Sequence, residues 1–325
     1  PAHARPMRAA LGDLADRLGA TDHPTDALNA MLFEDGVAID VPAGVDAGTI
    51  EIVSVASGHV PAAIHPRHAI RLGAGANLTV IETATGPEAS RHFHNPAFVI
   101  DLAADAHLTH VRVNREPEGA FHLAHLGVRV AERGTYDGFA LNAGGRLSRS
   151  EIHLVLDGPN AHANLNGAQL AAGGQVADVS TSLRHAHPNC TSRQTVRTVL
   201  TGAARGVFQG KIHVDRIAQK TDGYQMNQAL LLSEDAEMDS KPQLEIYADD
   251  VKCSHGATVG ALDEGQLFYL RSRGIPAGIA RSMLVRAFLA EAIEAVEHEG
   301  AREALDEAIA AWWTAHGGTA VEAVA

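Results

Sequence analysis

Cys253 is one of only two cysteines in the 325 residues, and it stands two positions before a histidine in 251-VKCSHGATVG-260. Residues i and i+2 of a β-strand share a face, so the Cys253 thiol and the His255 imidazole are expected side by side. Thiolate and imidazole are ligands for zinc and for iron–sulfur centres. Two ligands make half of such a site, and the rest must come from distant residues or from a partner. A cysteine nucleophile with a histidine base is the competing chemistry. Glu245, Asp249 and Asp250 precede the pair, and their charge disfavours the thiolate a nucleophile needs. A third reading is a buried structural thiol, since free cysteine is among the most buried residue types.

Other candidate ligands carry less signal. His185, His187 and Cys190 in 184-RHAHPNC-190 have a loose H-x-H-x₂-C spacing, but Pro188 and Asn189 mark a turn there. His92 and His94 in 91-RHFHNP-96 fit plain strand alternation. No GxxxxGK[ST] loop, no GxGxxG after a strand and no HExxH occurs, so the chain itself is expected to hydrolyse no nucleotide.

Composition narrows the classes further. A net charge of −13, from 26 Lys+Arg against 39 Asp+Glu, opposes the phosphate neutralisation on which nucleic-acid binding depends. No run of 18 apolar residues and no basic segment leading into an apolar one is present, so neither a membrane span nor a secretory leader is expected, and the location read from this is cytoplasmic. Two cysteines 63 positions apart are not a disulfide framework.

Three zones must position these residues. Residues 1–36 are expected to form a helical segment, with Met7, Leu11, Leu14 and Leu18 along one stripe. Residues 37–269 show short alternating runs broken by Gly, Asn and Asp, with turn centres near Gly73, Ala104, Gly134, Gly158, Gly173, Gly202 and Glu234 spaced by roughly thirty residues or half that. The pattern x-Ala-x-Leu/Val recurs at Ala76/Leu78, Ala106/Leu108 and Ala161/Ala163/Leu165. Stacked coils of that kind make a β-helix. A β-sandwich is the alternative, less favoured because only 4% of the residues are aromatic. Residues 270–325 are expected to be helical, with a stripe at Leu284, Phe288, Ala292 and Val296, an end at Gly300, and a second helix carrying Leu305, Ile309, Trp312 and Trp313. The tryptophans are expected to cap the open end of the solenoid or to meet another protein. In a solenoid each coil contacts its neighbours, so the strands are expected to stay folded without the residues after about 270.

The run 219-QKTDGYQMNQALLLSEDAEMDSKPQLEIYADDVKCSHGATVGALDEGQLFYLRSRGI-275, with 188-PNCTSRQ-194 and 205-RGVFQGKIHV-214 before it, resembles the SufD branch of the SufB/SufD family of the SUF iron–sulfur cluster assembly system. Weaker likeness runs back through 38-AIDVPAGV-45 and 65-HPRHAIRLGAGANLTVIE-82. The amino-terminal segment looks shorter than the family's. The resemblance implies a right-handed parallel β-helix flanked by helices, and a non-catalytic scaffold subunit. It implies a SufB-like partner joined through the β-helices and a SufC-like ABC ATPase held by the carboxy-terminal helices; whether the isolated chain also forms a homodimer is left open by the sequence. It also implies a nascent iron–sulfur cluster, or iron, held transiently at the subunit boundary by His255 with Cys253 beside it. By the same resemblance Phe268, Tyr269, Arg271, Arg273, Gly274 and Ile275 belong to the ATPase-binding region. The rival readings are a β-helix carbohydrate-active enzyme, which needs paired carboxylates along a groove, and a homodimeric metal-binding protein.

Overall fold

The computed structural model describes residues 3–7, 23–57 and 61–317. From Val37 onward the strands fall into two parallel sheets, in alternation except that the short β4 (Ala62–Ile64) and β7 (His92–His94) each precede a longer strand of the same sheet. One holds, in spatial order, β2 (Val37–Val41), β5 (Arg67–Leu72), β8 (Ala97–Leu102), β10 (Phe121–Val130), β12 (Leu147–Leu156), β14 (Val176–His185), β16 (Arg205–Val214) and β18 (Glu237–Ile246). The other holds β3 (Asp46–Val55), β6 (Asn77–Thr85), β9 (His107–Arg115), β11 (Thr135–Asn142), β13 (His162–Ala171), β15 (Thr191–Leu200), β17 (Asp222–Leu231) and β19 (Lys252–Gly260). A chain that passes back and forth between two parallel sheets and stacks coil on coil is a parallel β-helix, and the sandwich alternative is set aside.

The coil length explains the turn spacing. Phe121 lies beside Leu147, 26 residues on, Leu147 beside Val176, 29 on, and Arg205 beside Glu237, 32 on. At one corner of each coil a single residue takes the left-handed conformation: Gly44, Gly75, Asp105, Arg133, Asn160, Asn189 and Lys220. The N–H of each donates to a carbonyl of the next coil, as from Asn160 to Pro188, Asn189 to Gln219 and Lys220 to Asp250. Stacked corners thus satisfy backbone groups that a buried turn would leave orphaned. Asn and Asp tolerate this conformation and Gly adopts it freely.

The recurring alanines and leucines face inward. Ala76, Leu78, Ala106, Leu108, Ala161, Ala163 and Leu165 are all buried in one apolar cluster. Toward the last coils the interior turns polar, with His185, Ser192, Gln194, Thr198, Gln225 and Asn227 buried.

Among the described residues four helices flank the strands: α1 (Pro24–Leu32), α2 (Glu264–Ser272), α3 (Ala277–Ile293) and α4 (Glu299–His316). Three expectations are corrected. Residues expected to begin a helix form part of β1 (His3–Pro6), which pairs antiparallel with β2, while most of the Met7, Leu11, Leu14 and Leu18 stripe lies outside the described residues. Gly300 does not end a helix. α3 stops at Ile293, and Gly300 lies in the first turn of α4, where the His298 side chain caps by accepting from the Ala301 N–H. The tryptophans do not cap the solenoid. Trp312 is buried in a cluster with Val285, Leu289 and Leu305 of α3 and α4 and with Val111, Phe139, Leu141, Leu170 and Val199. These helices therefore cover the outer face of the second sheet and leave its end open.

Candidate functional site at the open end of the solenoid

β18 and β19 are the last strands of their sheets, and each has one edge free of any strand among the described residues. Pro242 sits in the middle of β18, where a residue without an N–H is tolerated because the strand is an edge. Beneath β19, in β17, Gly223, Gln225, Asn227 and Ala229 alternate as buried residues. Cys253 lies in register with Gly223, His255 with Gln225, Ala257 with Asn227 and Val259 with Ala229. The cysteine and histidine thus share a face and continue the interior row, with no coil above them among the described residues.

Their surroundings differ. Cys253 is half-buried against Ile212, Val214 and Leu244. Its sulfur fits because the residue below is a glycine: a Cβ on Gly223 would stand 3.4 Å from Sγ. Burial, with the charge of Asp222, pushes the thiol above its ordinary value against an opposing backbone hydrogen bond from Gly223. The charge comes from the stacked coil rather than from the sequence neighbours Glu245, Asp249 and Asp250. A thiol held protonated is a poor nucleophile, and it becomes a ligand only where a metal displaces its proton. His255 is exposed. Below it lie buried amides with unmet hydrogen-bonding capacity, the Gln194 Nε2 and the Gln225 Oε1. Around this end Ile217, Tyr247 and Val259 are exposed, Tyr247 by 60%, an apolar rim of the kind that marks interaction surfaces.

The second sequence candidate also keeps a surface. On α2 only Leu267 is buried, while Phe268 and Tyr269 are 73% and 56% exposed. The Asp263 carboxylate caps the helix by accepting from the Gln266 N–H at 2.8 Å. The Arg273 guanidinium lies 5.0 Å from the centre of the Tyr269 ring. Arg271 is exposed, Gly274 takes φ +83° to turn the chain toward α3, and Ile275 is half-buried beyond it. Ile279 and Met283 of α3 extend the exposed apolar surface.

His185, His187 and Cys190 do not form one site. The His185 Nε2 lies 3.0 Å from the Ser192 Oγ in the interior, the Cys190 thiol donates to the Gly158 carbonyl, and His187 faces Asp157 at 3.6 Å. Sequence spacing missed two other clusters. The His92 Nε2 and His94 Nδ1 lie 2.9 and 2.8 Å from one oxygen of buried Glu116, and the His122 Nδ1 lies 2.8 Å from the other. Burial alone would raise the Glu116 carboxyl, but the bonds from His122 and His94 outweigh it and hold the group well below the carboxylate range. The second cluster joins His125, Glu151 and His153. Both are assembled across coils: an i, i+2 pair, His92 and His94 in one and Glu151 and His153 in the other, meets residues brought in from a neighbouring coil.

Comparison with known proteins places this solenoid. Residues 53–288 match the family described as SUF system FeS cluster assembly, SufBD core domain. The chain is 43% identical over 239 residues to the iron–sulfur cluster assembly protein SufD of Escherichia coli, covering 74% of this chain and 56% of that protein. It is 31% identical over 244 residues to an iron–sulfur cluster assembly SufBD family protein of Synechocystis, covering 73% and 54%. A SufBD family protein of Mycobacterium tuberculosis is 30% identical over 312 residues, covering 90% and 76%. The molecule is a parallel β-helix with α1 on its first sheet and the carboxy-terminal helices on its second. The chain belongs to the SufBD core family of the SUF system, and it spans about half the length of the first two of these relatives. Among the described residues no helix is long and apolar enough to cross a membrane.

Proposed function

We propose that the chain is a non-catalytic scaffold subunit of iron–sulfur cluster assembly. It pairs through the end of its β-helix with a SufB-like subunit and holds a SufC-like ABC ATPase on the surface of α2 and the start of α3. The observation that supports this most directly is the placement of His255 and Cys253 on the interior row of a coil that none of the described residues covers, between two strand edges unpaired among them. Strand addition to such an edge supplies main-chain hydrogen bonds, and the exposed Tyr247 and Val259 supply apolar contact. The cluster, as cargo, would take some ligands from this row and the rest from the partner. Because α3 and α4 pack directly on the second sheet, a displacement imposed at α2 by an ATPase would reach the strands that carry the row. Location in the cytoplasm belongs to the same reading.

The test is co-purification with a SufB-like and a SufC-like protein. Val259→Asp together with Tyr247→Asp is expected to release the SufB-like subunit while the ATPase stays bound. Undiminished co-elution of all three would overturn the proposed interface. Reconstituted anaerobically with iron and sulfide, the isolated chain is expected to hold little cluster, and a full tightly held cluster on it alone would refute a shared site.

A further inference from the structure

His125, Glu151 and His153 meet on the outer side of the first sheet, on β10 and β12, four and three strands away from β18. His125 of β10 is in register with Glu151 of β12, and His153 is in register with Gly127. The missing side chain at Gly127 leaves a groove of about 470 Å³ lined by Asp26, Arg67, His125, Gly127, Arg129 and His153. One ligand atom from each of His125, Glu151 and His153 lies within 4.8 Å of the others. We propose that this group is a binding site for a divalent transition-metal ion, zinc or ferrous iron, with its remaining coordination positions open to the groove.

Three observations carry the assignment. First, the His125 Nδ1 is buried and has no hydrogen-bond partner, although the Glu151 Oε2 stands only 4.0 Å away. That separation is too long for a hydrogen bond. It approaches the span of two ligand atoms sharing one ion, which at bonds of about 2.1 Å stand roughly 3.4 Å apart in tetrahedral geometry. Second, the imidazole rings of His125 and His153 are near-parallel, 26° apart with centres 5.1 Å apart, so both can present nitrogens along one edge. Third, Glu151 is steadied from behind. Arg149 donates to the Glu151 Oε1 at 2.8 Å, and the Thr25 hydroxyl donates to Oε2. On the far side of His125, Asp26 lies 3.8 Å from Nε2, beyond hydrogen-bond length, and is itself held by the Arg67 guanidinium at 2.7 Å. It stands on the side from which a carboxylate usually supports a metal-bound imidazole. Two histidines and one carboxylate suit zinc and ferrous iron, whereas calcium and magnesium prefer all-oxygen sites.

The inference is independent of the open-end pairing and is tested on the full chain alone. Equilibrium dialysis with Zn²⁺, and under anaerobic conditions with Fe²⁺, is expected to give one bound equivalent. His153→Gln and Glu151→Gln are each expected to weaken it at least tenfold, while His94→Gln and His255→Ala leave it unchanged. Co²⁺ is expected to give visible ligand-field absorption in the wild type that His153→Gln abolishes. His153 is only half-buried, so its variant is expected to keep the wild-type thermal midpoint without metal. Absence of a bound equivalent, or binding indifferent to His153→Gln and Glu151→Gln, would overturn the site. Loss on His94→Gln or His255→Ala alone would assign the metal elsewhere.

Discussion

His255 and Cys253 sit in one row, but their packing assigns them different tolerances. The Cys253 sulfur is half-buried beside Ile212 and above Gly223, so a serine there puts a hydroxyl into an apolar contact and is expected to cost about 1 kcal/mol of stability. His255 is exposed and leaves no cavity when truncated. The expectation is that His255→Ala keeps the thermal midpoint within about 0.5 kcal/mol of the wild type and abolishes growth of cells that depend on this chain for cluster assembly, while Cys253→Ser lowers the midpoint and slows growth only mildly. Normal growth of the His255→Ala strain would remove the histidine from the site. This pair was legible in the sequence because both members lie on one strand at i and i+2. The His125, Glu151 and His153 cluster carried half of that signal, since Glu151 and His153 have the same spacing. Its third member comes from the coil below, 26 residues earlier, and a single sequence does not reveal which coils are in register.

At the scale of elements, the helices at the carboxy-terminal side have two distinct faces. α3 and α4 bury Val285, Leu289, Leu305, Ile309 and Trp312 against Val111, Phe139, Leu141, Leu170 and Val199 of the second sheet. Removing everything after residue 270 would expose that apolar sheet face, so the truncated chain is expected to aggregate rather than survive as a free solenoid. The sequence displayed the apolar stripe of these helices but not its destination, because the outer side chains of a central parallel strand read as part of a continuous hydrophobic run. Docking is better tested on α2, whose Phe268 and Tyr269 touch little of this chain. Replacing both by Glu is expected to leave the thermal midpoint unchanged and to weaken ATPase binding by 2 kcal/mol or more, roughly thirtyfold, as for aromatic residues at the centre of an interface. Binding titrations with the ATPase in solution read this directly, and unchanged affinity would place the partner elsewhere.

Across the whole molecule the interior changes character along its axis. The repeat of alanines and leucines made the apolar coils readable from sequence, and the Asn, Asp and Gly corners explain why the turn spacing was near thirty residues. The polar interior was less legible, because an inward histidine or glutamine in a strand looks like a solvent-facing one. Two of these buried histidines contribute to the response to acid. Burial pushes His68 down to about 4, offset in part by the charge of Glu82, and burial likewise pushes His185 down to about 4. The neutral state is built in: the His68 Nδ1 accepts the Val37 N–H at 3.2 Å, and the His185 Nδ1 has no partner that could receive a proton. With folded values below the unfolded value of 6.5, the unfolded chain binds more protons between pH 6.5 and about 4. Stability is therefore flat with respect to these two groups above pH 6.5 and falls as the pH drops through that window, by up to about 1.4 kcal/mol per pH unit for each imidazole. Below about pH 4.5, the unfolded carboxylate value, paired carboxylates such as Glu116 and Glu82 begin to contribute as well, so the histidine effect stands by itself only in the upper part of the window. Thermal midpoints measured from pH 7.5 to 4.5 are expected to decline below 6.5, and His185→Leu is expected to start lower, having lost the Ser192 contact, but to decline less steeply. A midpoint independent of pH across that interval would show that neither histidine is held neutral by the fold.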